Sequence, residues 1–499
     1  MNSAILEGLL SASAPEALAA MACGALIGLI AGMLPGVTIS SGIIIVLPLT
    51  FVMGPHVAIS LLLGIYSGGM TGGSFSAILL NIPGTPSASA TGLDGHQMAK
   101  RGEAGLALGT SIFSSFFGGM FSLLCLYLIA PQLAAVALKF RAADLFSLVF
   151  FGLTIISSFA VKSVVKGLLS GLIGLILVTI GQDPVMGTAR YTFGSVNLLQ
   201  GVHFLTALIG LFAIPQLVDG IAESLKGLSK GQALSHFGSI YPRLRHYKEM
   251  ALPSLIGAVV GTFIGILPGT GGPIAAFLSY DYAQKISRQP EKFGTGCIEG
   301  VAAPEAGNNA VCGGALIPMM TLGIPGDPVT AILIGALLVH GLAPGPMLFV
   351  ERPDFAYTII FSFFWSNIFT LVIALLGVRL LVKVLDAPKA VLIPAIAVLC
   401  AIGSFALRNS FFDMYVMLAF GLLGLLMQWL EMPVVPLILA LVLGRPLEEN
   451  LRVALTASKG DPSIFFTSPI SLGFLALSAI SIIWPFVQDW RRRAAAARA

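Results

Sequence analysis

Apolar stretches close to the ~20 residues that cross a hydrocarbon core recur along the whole chain. Leu18 to Leu34, Leu106 to Ile129, Leu145 to Ala160, Phe204 to Val218, Phe355 to Val378 and Ile470 to Val487 are the clearest. Counting continuous and broken segments, the pattern predicts about 12 membrane spans with re-entrant pieces. The interruptions are as informative as the runs. Ser67 to Thr91, SGGMTGGSFSAILLNIPGTPSASAT, places glycines, prolines and hydroxyls where regular greasy structure is expected.

Composition supports the class. Of 499 residues, 56% are hydrophobic and 10% charged, against roughly a quarter charged in soluble domains. A soluble fold cannot hide so much apolar surface, so the expected fold is an all-α polytopic membrane protein. The net charge of +4 says little, but its placement says more. Arg491, Arg492, Arg493 and Arg498 follow the last apolar run, and Lys226, Lys230, Arg243, Arg245 and Lys248 crowd the one long polar connection. The positive-inside bias predicts a cytoplasmic C-terminus and a cytoplasmic 223–250 loop. No Lys or Arg precedes Lys100, so the basic start of a cleavable signal peptide is missing and the first apolar segment is expected to be retained. Cys23, Cys125, Cys297, Cys312 and Cys400 show no C-x-x-C spacing and read as small core residues.

The polar stretch Glu223 to Glu249 divides the chain, and each part carries the same pair of motifs. Gly32 to Gly36 (GMLPG) and Ile82 to Pro86 (IPGTP) are answered by Gly265 to Gly269 (GILPG) and Ile324 to Pro328 (IPGDP). A glycine pair precedes the second motif each time, Gly72-Gly73 and Gly313-Gly314. The expected organisation is a first repeat half at 1–222, a linker at 223–250, a second repeat core at 251–385 and scaffold segments with a basic tail at 386–499. Loop charges give the sense of each repeat. Lys100 and Arg101 follow the first I-P-G, whereas Lys285, Arg288 and Lys292 follow the second L-P-G. The swap predicts two inverted repeats with broken helices, the plan of secondary transporters that bind substrate at the repeat interface.

Irregular backbone at membrane depth must be buried in protein or line a wet cavity. A Pro-Gly break frees amides at the start of one half-helix and carbonyls at the end of another, which suit a carboxylate and a small cation. Candidate substrate and ion ligands are Pro35, Gly36, Thr38 and Ser40 at the first break and Ser74, Ser76, Asn81, Pro83, Gly84, Thr85 and Ser87 around the second. Their counterparts are Gly269, Thr270, Gly271, Asn308, Asn309, Thr321, Pro325, Gly326 and Asp327. A sodium ion would sit near Asn81 and Asn309. The same residues also serve helix packing, since Gly, Ala and Ser let membrane helices approach and Pro kinks them. Asp327 could equally cap the following helix. Glu299 reads equally as a rim charge, Asp94 reads as a turn residue before glycine, and the six histidines form no metal-spaced cluster.

Several classes are excluded. No Walker-type phosphate loop, H-E-x-x-H or G-x-S-x-G elbow occurs, so nucleotide hydrolysis and hydrolase chemistry have no seat. Voltage-sensor arginines and a T-V-G-Y-G filter are missing as well, and the basic residues are placed by topology rather than for nucleic acid.

GMLPG at 32–36, NIPGTPSASAT running into LDGHQMAKRGEAGLALG at 81–109, GILPGTG at 265–271, PEAGNNA at 304–310 and GIPGDP at 323–328 together resemble the large membrane subunit of the tripartite tricarboxylate transporters (TctA-like). The resemblance implies a carboxylate importer of the bacterial inner membrane, not an enzyme. It also implies a sodium or proton gradient as driving force, no other cofactor, and an elevator-like motion. Implied partners are a small membrane subunit (TctB-like), a periplasmic solute-binding protein (TctC-like), membrane lipid and a small carboxylate such as citrate. The path is expected around 36–41, 67–91, 269–273, 305–310 and 321–328. Rival readings are a stand-alone ion-coupled permease, a passive channel, and a membrane scaffold or intramembrane enzyme.

Overall fold

A computed structural model describes residues 2–34, 37–159, 164–183, 186–225, 238–269, 271–384 and 389–496. Pro35, Gly36 and Thr270, the centre of the 223–250 linker with Lys226 and Lys230, and Arg498 lie outside the described residues.

The first motif pair lies on α1 (Asn2–Ala12), α2 (Pro15–Met33), α3 (Ile39–Thr50), α4 (Pro55–Leu80) and α5 (Ala88–Lys100). Then come α6 (Ala104–Ala137), α7 (Ala142–Phe159), α8 (Val164–Val178) and α9 (Phe204–Leu225). The second pair lies on α10 (Leu244–Ile266), α11 (Gly271–Ile286), α12 (Glu299–Leu322) and α13 (Pro328–Val339), followed by α14 (Leu348–Glu351), α15 (Pro353–Val384) and α16 (Lys389–Ala406). The chain ends with α17 (Phe411–Trp429), α18 (Val435–Ala457), α19 (Ile464–Thr467) and α20 (Pro469–Ala496). The fold is all-α, with one short ladder among the described residues (β1, Gly181–Gln182; β2, Ala189–Arg190). Among the described residues six helices, α2, α4, α6, α10, α15 and α17, are long and apolar enough to cross a membrane. Shorter apolar helices accompany them, α3 and α13 among them.

Two compact units form, and they do not follow the cut at the polar linker. One joins Met1–Ala134 to Phe212–Asn409; the other joins Ala135–Leu211 to Ser410–Ala499. The first holds all four Pro-Gly motifs. Its central helix is α4, whose apolar window is 94% buried. Such burial requires a neighbour at backbone distance, and glycines every fourth residue provide it. A Cβ at Gly24 or Gly28 of α2 would lie 2.2 or 2.3 Å from the carbonyl oxygen of Leu61 or Ile65 in α4. From the other side, a Cβ at Gly68 would lie 2.3 Å from that of Ala25. The pair α10 and α12 repeats the device, with Gly257 set 2.2 Å from Ala303 O and Gly261 2.1 Å from Gly307 O by the same measure. Leu29, Phe75, Ile78, Met98, Ile112 and Val301 belong to the apolar core on this scaffold.

In the second unit α7 packs on α18 and α20, and α8 on α18. Its hairpin is tied to α18 by ions. Arg190 donates to both oxygens of Glu448 at 2.7 and 3.1 Å, and Arg452 reaches Asp183 and Glu448 at 2.9 and 2.7 Å.

Candidate substrate and ion site

Both halves break their helices in the same way. Leu34 after α2 and Leu267 after α10 are extended, with ψ of 115° and 118°. Asn81 after α4 and Gly323 after α12 are both left-handed, with φ of 58° and 68°. Ile-Pro-Gly follows each of the latter. Asparagine and glycine are the residues that accept this conformation at least cost. Asn81 therefore has a backbone role, and its side chain is exposed.

The two kinds of break then stack within each half. A Cβ at Gly84 would lie 2.1 Å from the carbonyl oxygen of Gly32, and one at Gly326 would lie 2.7 Å from that of Gly265. Gly269 N–H also donates to Gly326 O at 2.7 Å. These glycines are small because backbone occupies the space, which is the packing role set beside ligand approach in the sequence reading. Pro83 is exposed and Pro325 buried beside them.

Each half also supplies part of the other's surroundings: α11 packs on α5, and α3 on α13. The convergence is closest at Gly272, in the first turn of the 16-residue α11. A Cβ there would lie 2.5 Å from Asn308 Oδ1 and 3.4 Å from Ser87 Oγ. Asn308 donates Nδ2–H to Met70 O at 2.9 Å, and its Oδ1 is buried with no partner. Thr85 Oγ1 lies 3.1 Å from Ser87 Oγ. Gly271, at the helix start, is left-handed with φ of 66°. One place thus combines the unpaired amides of a helix start, an orphan amide oxygen and two hydroxyls.

At the pseudo-equivalent place, Thr38 caps α3 by accepting Ser41 N–H at 3.2 Å, and Gln216 donates to Thr38 Oγ1 at 3.0 Å. Ser41 hydrogen-bonds the same glutamine, while Ser40 is buried next to it. Asp327 caps α13, accepting Thr330 N–H at 2.7 Å, and its other oxygen accepts Tyr66 O–H from α4 at 2.6 Å. Of the two roles open to Asp327, the cap is occupied.

Other expected ligands spend their groups on protein. Ser74 bonds Thr71 O and Ser111 Oγ, Ser76 donates to Gly73 O, and Thr321 to Ile317 O. Asn309 accepts Thr71 Oγ1–H at 3.0 Å and donates to Glu305 O at 3.1 Å. Thr71 precedes Asn81 by ten residues of one helix, about 15 Å of rise. No single ion touches both Asn81 and Asn309.

Two carboxylates stand out in the folded chain. Asp94, read from sequence as a turn residue, is instead a buried residue of α5. Its carboxylate accepts Tyr280 O–H and the N–H groups of Gly294, Gly296 and Cys297 at 2.8, 2.9, 2.6 and 2.9 Å. The Asp-Gly pair resembled a turn signal because its partners lie about 200 residues away. Glu305, fully buried in α12, accepts Thr91 O–H at 2.6 Å and Ser115 O–H at 2.8 Å. Tyr66, Ser115 and Gln216 lie outside the expected path, while Thr71 and Thr91 fall inside its 67–91 segment without being singled out as ligands. Both belong to the hydroxyl-bearing Ser67–Thr91 stretch, which is the signal that marks them.

The profile of the tripartite tricarboxylate transporter TctA family matches residues 18–439. The chain belongs to that family. It is also 38% identical over 460 residues to an uncharacterized 52.8 kDa protein in the TAR-I ttuC' 3' region of Agrobacterium vitis, covering 92% of this chain and 91% of that protein. A second protein of Agrobacterium vitis, in the TAR-II ttuC' 3' region, is 39% identical over 233 residues, covering 47% of this chain and 96% of that protein. No solved structure matches. All four Pro-Gly motifs fall inside the segment shared with the TctA family.

Proposed function

We propose that this TctA-family chain is the large membrane subunit of a binding-protein-dependent secondary transporter. It imports tricarboxylates or related carboxylates such as citrate, driven by a sodium or proton gradient. A TctB-like membrane subunit and a TctC-like periplasmic binding protein complete it, and the C-terminus of this inner-membrane protein is cytoplasmic. The two motif halves act as inverted repeats, with about 12 spans and re-entrant pieces.

The observation that carries this reading is the convergence of Ser87 and Asn308 on Gly272 at the start of α11. The ends of broken helices present unpaired amides, which favour a carboxylate. The orphan oxygen of Asn308 accepts from a substrate hydroxyl or coordinates a cation. Among the described residues no cluster of His, Cys, Asp and Glu fit to hold a metal occurs.

The test is uptake of labelled citrate and a small carboxylate panel into vesicles containing the chain and both partners. Runs with and without ion gradients, and with the binding protein omitted, separate the outcomes. Gradient-driven uptake lost without the binding protein supports the proposal. Uptake that survives its omission favours a stand-alone permease, and no uptake of any carboxylate overturns the substrate class.

A further inference from the structure

Two ways of holding a buried carboxylate are seen in this protein. Asp94, Asp144, Asp183 and Asp327 each accept at least one backbone N–H, and Asp183 also faces two arginines. An N–H group only donates, so at least one oxygen at each of these sites is fixed as an acceptor. Glu305 differs, because its carboxylate partners are hydroxyls alone, those of Thr91 of α5 and of Ser111 and Ser115 of α6. A hydroxyl can rotate and offer its oxygen instead. The Glu305 site therefore accommodates the carboxylate, the carboxylic acid, or the carboxylate with a small cation held by the same oxygens.

Among the described residues no cation pairs with Glu305. Glu305 has no exposed surface. Charged and titratable groups on the elements packed around α12 are engaged elsewhere: Asp94 with Tyr280, Tyr66 with Asp327, Lys285 with Asp281, Arg245 with Glu249, and His96 with Ile78 O. Glu299 and the thiols of Cys297 and Cys312 bring no positive charge. His340 follows α13 and Glu351 ends α14. His246, Lys248 and Glu249 lie in the first turns of α10, and none of these groups is bonded to Glu305. An uncompensated carboxylate at such a place is costly. The site is also joined to the helices of the candidate substrate site. Asn309 donates to Glu305 O and Asn308 follows one turn later, while Ser115 lies one turn from Ser111, which bonds Ser74 of α4.

We infer that Glu305, with Thr91 and Ser115, is where the driving cation, a proton or a sodium ion, is carried. The inference rests on the transporter reading, and its test needs no substrate. The purified full-length chain is melted in detergent across sodium (against choline) and across pH, beside Glu305→Gln and Ser115→Ala. Glutamine is neutral and nearly isosteric, so E305Q is expected to lose the cation-dependent rise in melting temperature. S115A tells the sources apart. If sodium binds, losing one oxygen ligand raises the sodium midpoint about tenfold, the weight of one charged hydrogen bond. If a proton binds, losing a donor to the carboxylate raises the pH midpoint by about one unit. A wild type indifferent to both cations, an E305Q that keeps the wild-type response, or an S115A with unmoved midpoints overturns the inference. Because the melt uses no carboxylate, its failure is distinct from an absence of uptake.

Discussion

Removing the Asp94 carboxylate should loosen the approach to α12. Asp94→Ala leaves Tyr280 O–H and three backbone N–H groups without their acceptor. Each hydrogen bond to a charged group contributes about 1.5–3 kcal/mol net. Gly294 is exposed and Gly296 half-buried, so water recovers part of the loss, and about 4 kcal/mol remains after that discount. Tyr280→Phe removes one bond and should cost about 1.5 kcal/mol. In the D94A background the tyrosine hydroxyl has no acceptor left, so Y280F should then cost close to nothing, a coupling of about 1.5 kcal/mol. Chemical unfolding of the reconstituted wild type, both single variants and the double variant measures all four corners. The latch is refuted if Y280F costs the same in both backgrounds, or if D94A unfolds like the wild type. The segment 294–297 leads directly into the helix bearing Glu305, Asn308 and Asn309, so uptake by D94A should fall as well.

Gly84→Leu drives a side chain into the carbonyl of Gly32, 2.1 Å from the new Cβ, and should abolish uptake while the protein still reaches the membrane; wild-type uptake would rule out the stacked breaks. Asn309→Leu removes the bond from Thr71 and the donor to Glu305 O, and membrane fractions should again show protein without transport. For Asn308→Ala only the bond to Met70 O is lost, about 1 kcal/mol of stability. Uptake should nevertheless collapse, and a variant with normal uptake but poor stability would reduce Asn308 to a packing role. Tyr66→Phe leaves Asp327 its Thr330 partners and should cost about 1.5–3 kcal/mol, read as a lowered melting temperature; an unchanged melt would contradict the Tyr66–Asp327 bond.

What the amino-acid order determines unaided is whatever depends on composition or on near neighbours. Apolar run length specifies the membrane class, and the paired L-P-G and I-P-G motifs specify where helices stop, because proline withholds an N–H and glycine accepts left-handed backbone. The matched breaks at Leu34 and Leu267, and at Asn81 and Gly323, were legible for that reason. Tertiary structure decided the rest. Whether a serine or threonine hydroxyl faces a ligand or the turn before it, as Ser76 and Thr321 do, depends on which helix lies opposite. Gly84 and Gly326 looked like openings for a ligand and are filled by backbone. Asp94 looked like a turn and holds a loop 200 residues on, while Glu305 gathers Thr91 and Ser115 from 214 and 190 residues away. Contacts of that separation leave no period in the sequence. They arise when glycine-spaced helices close to backbone distance and carry their polar side chains into one buried place.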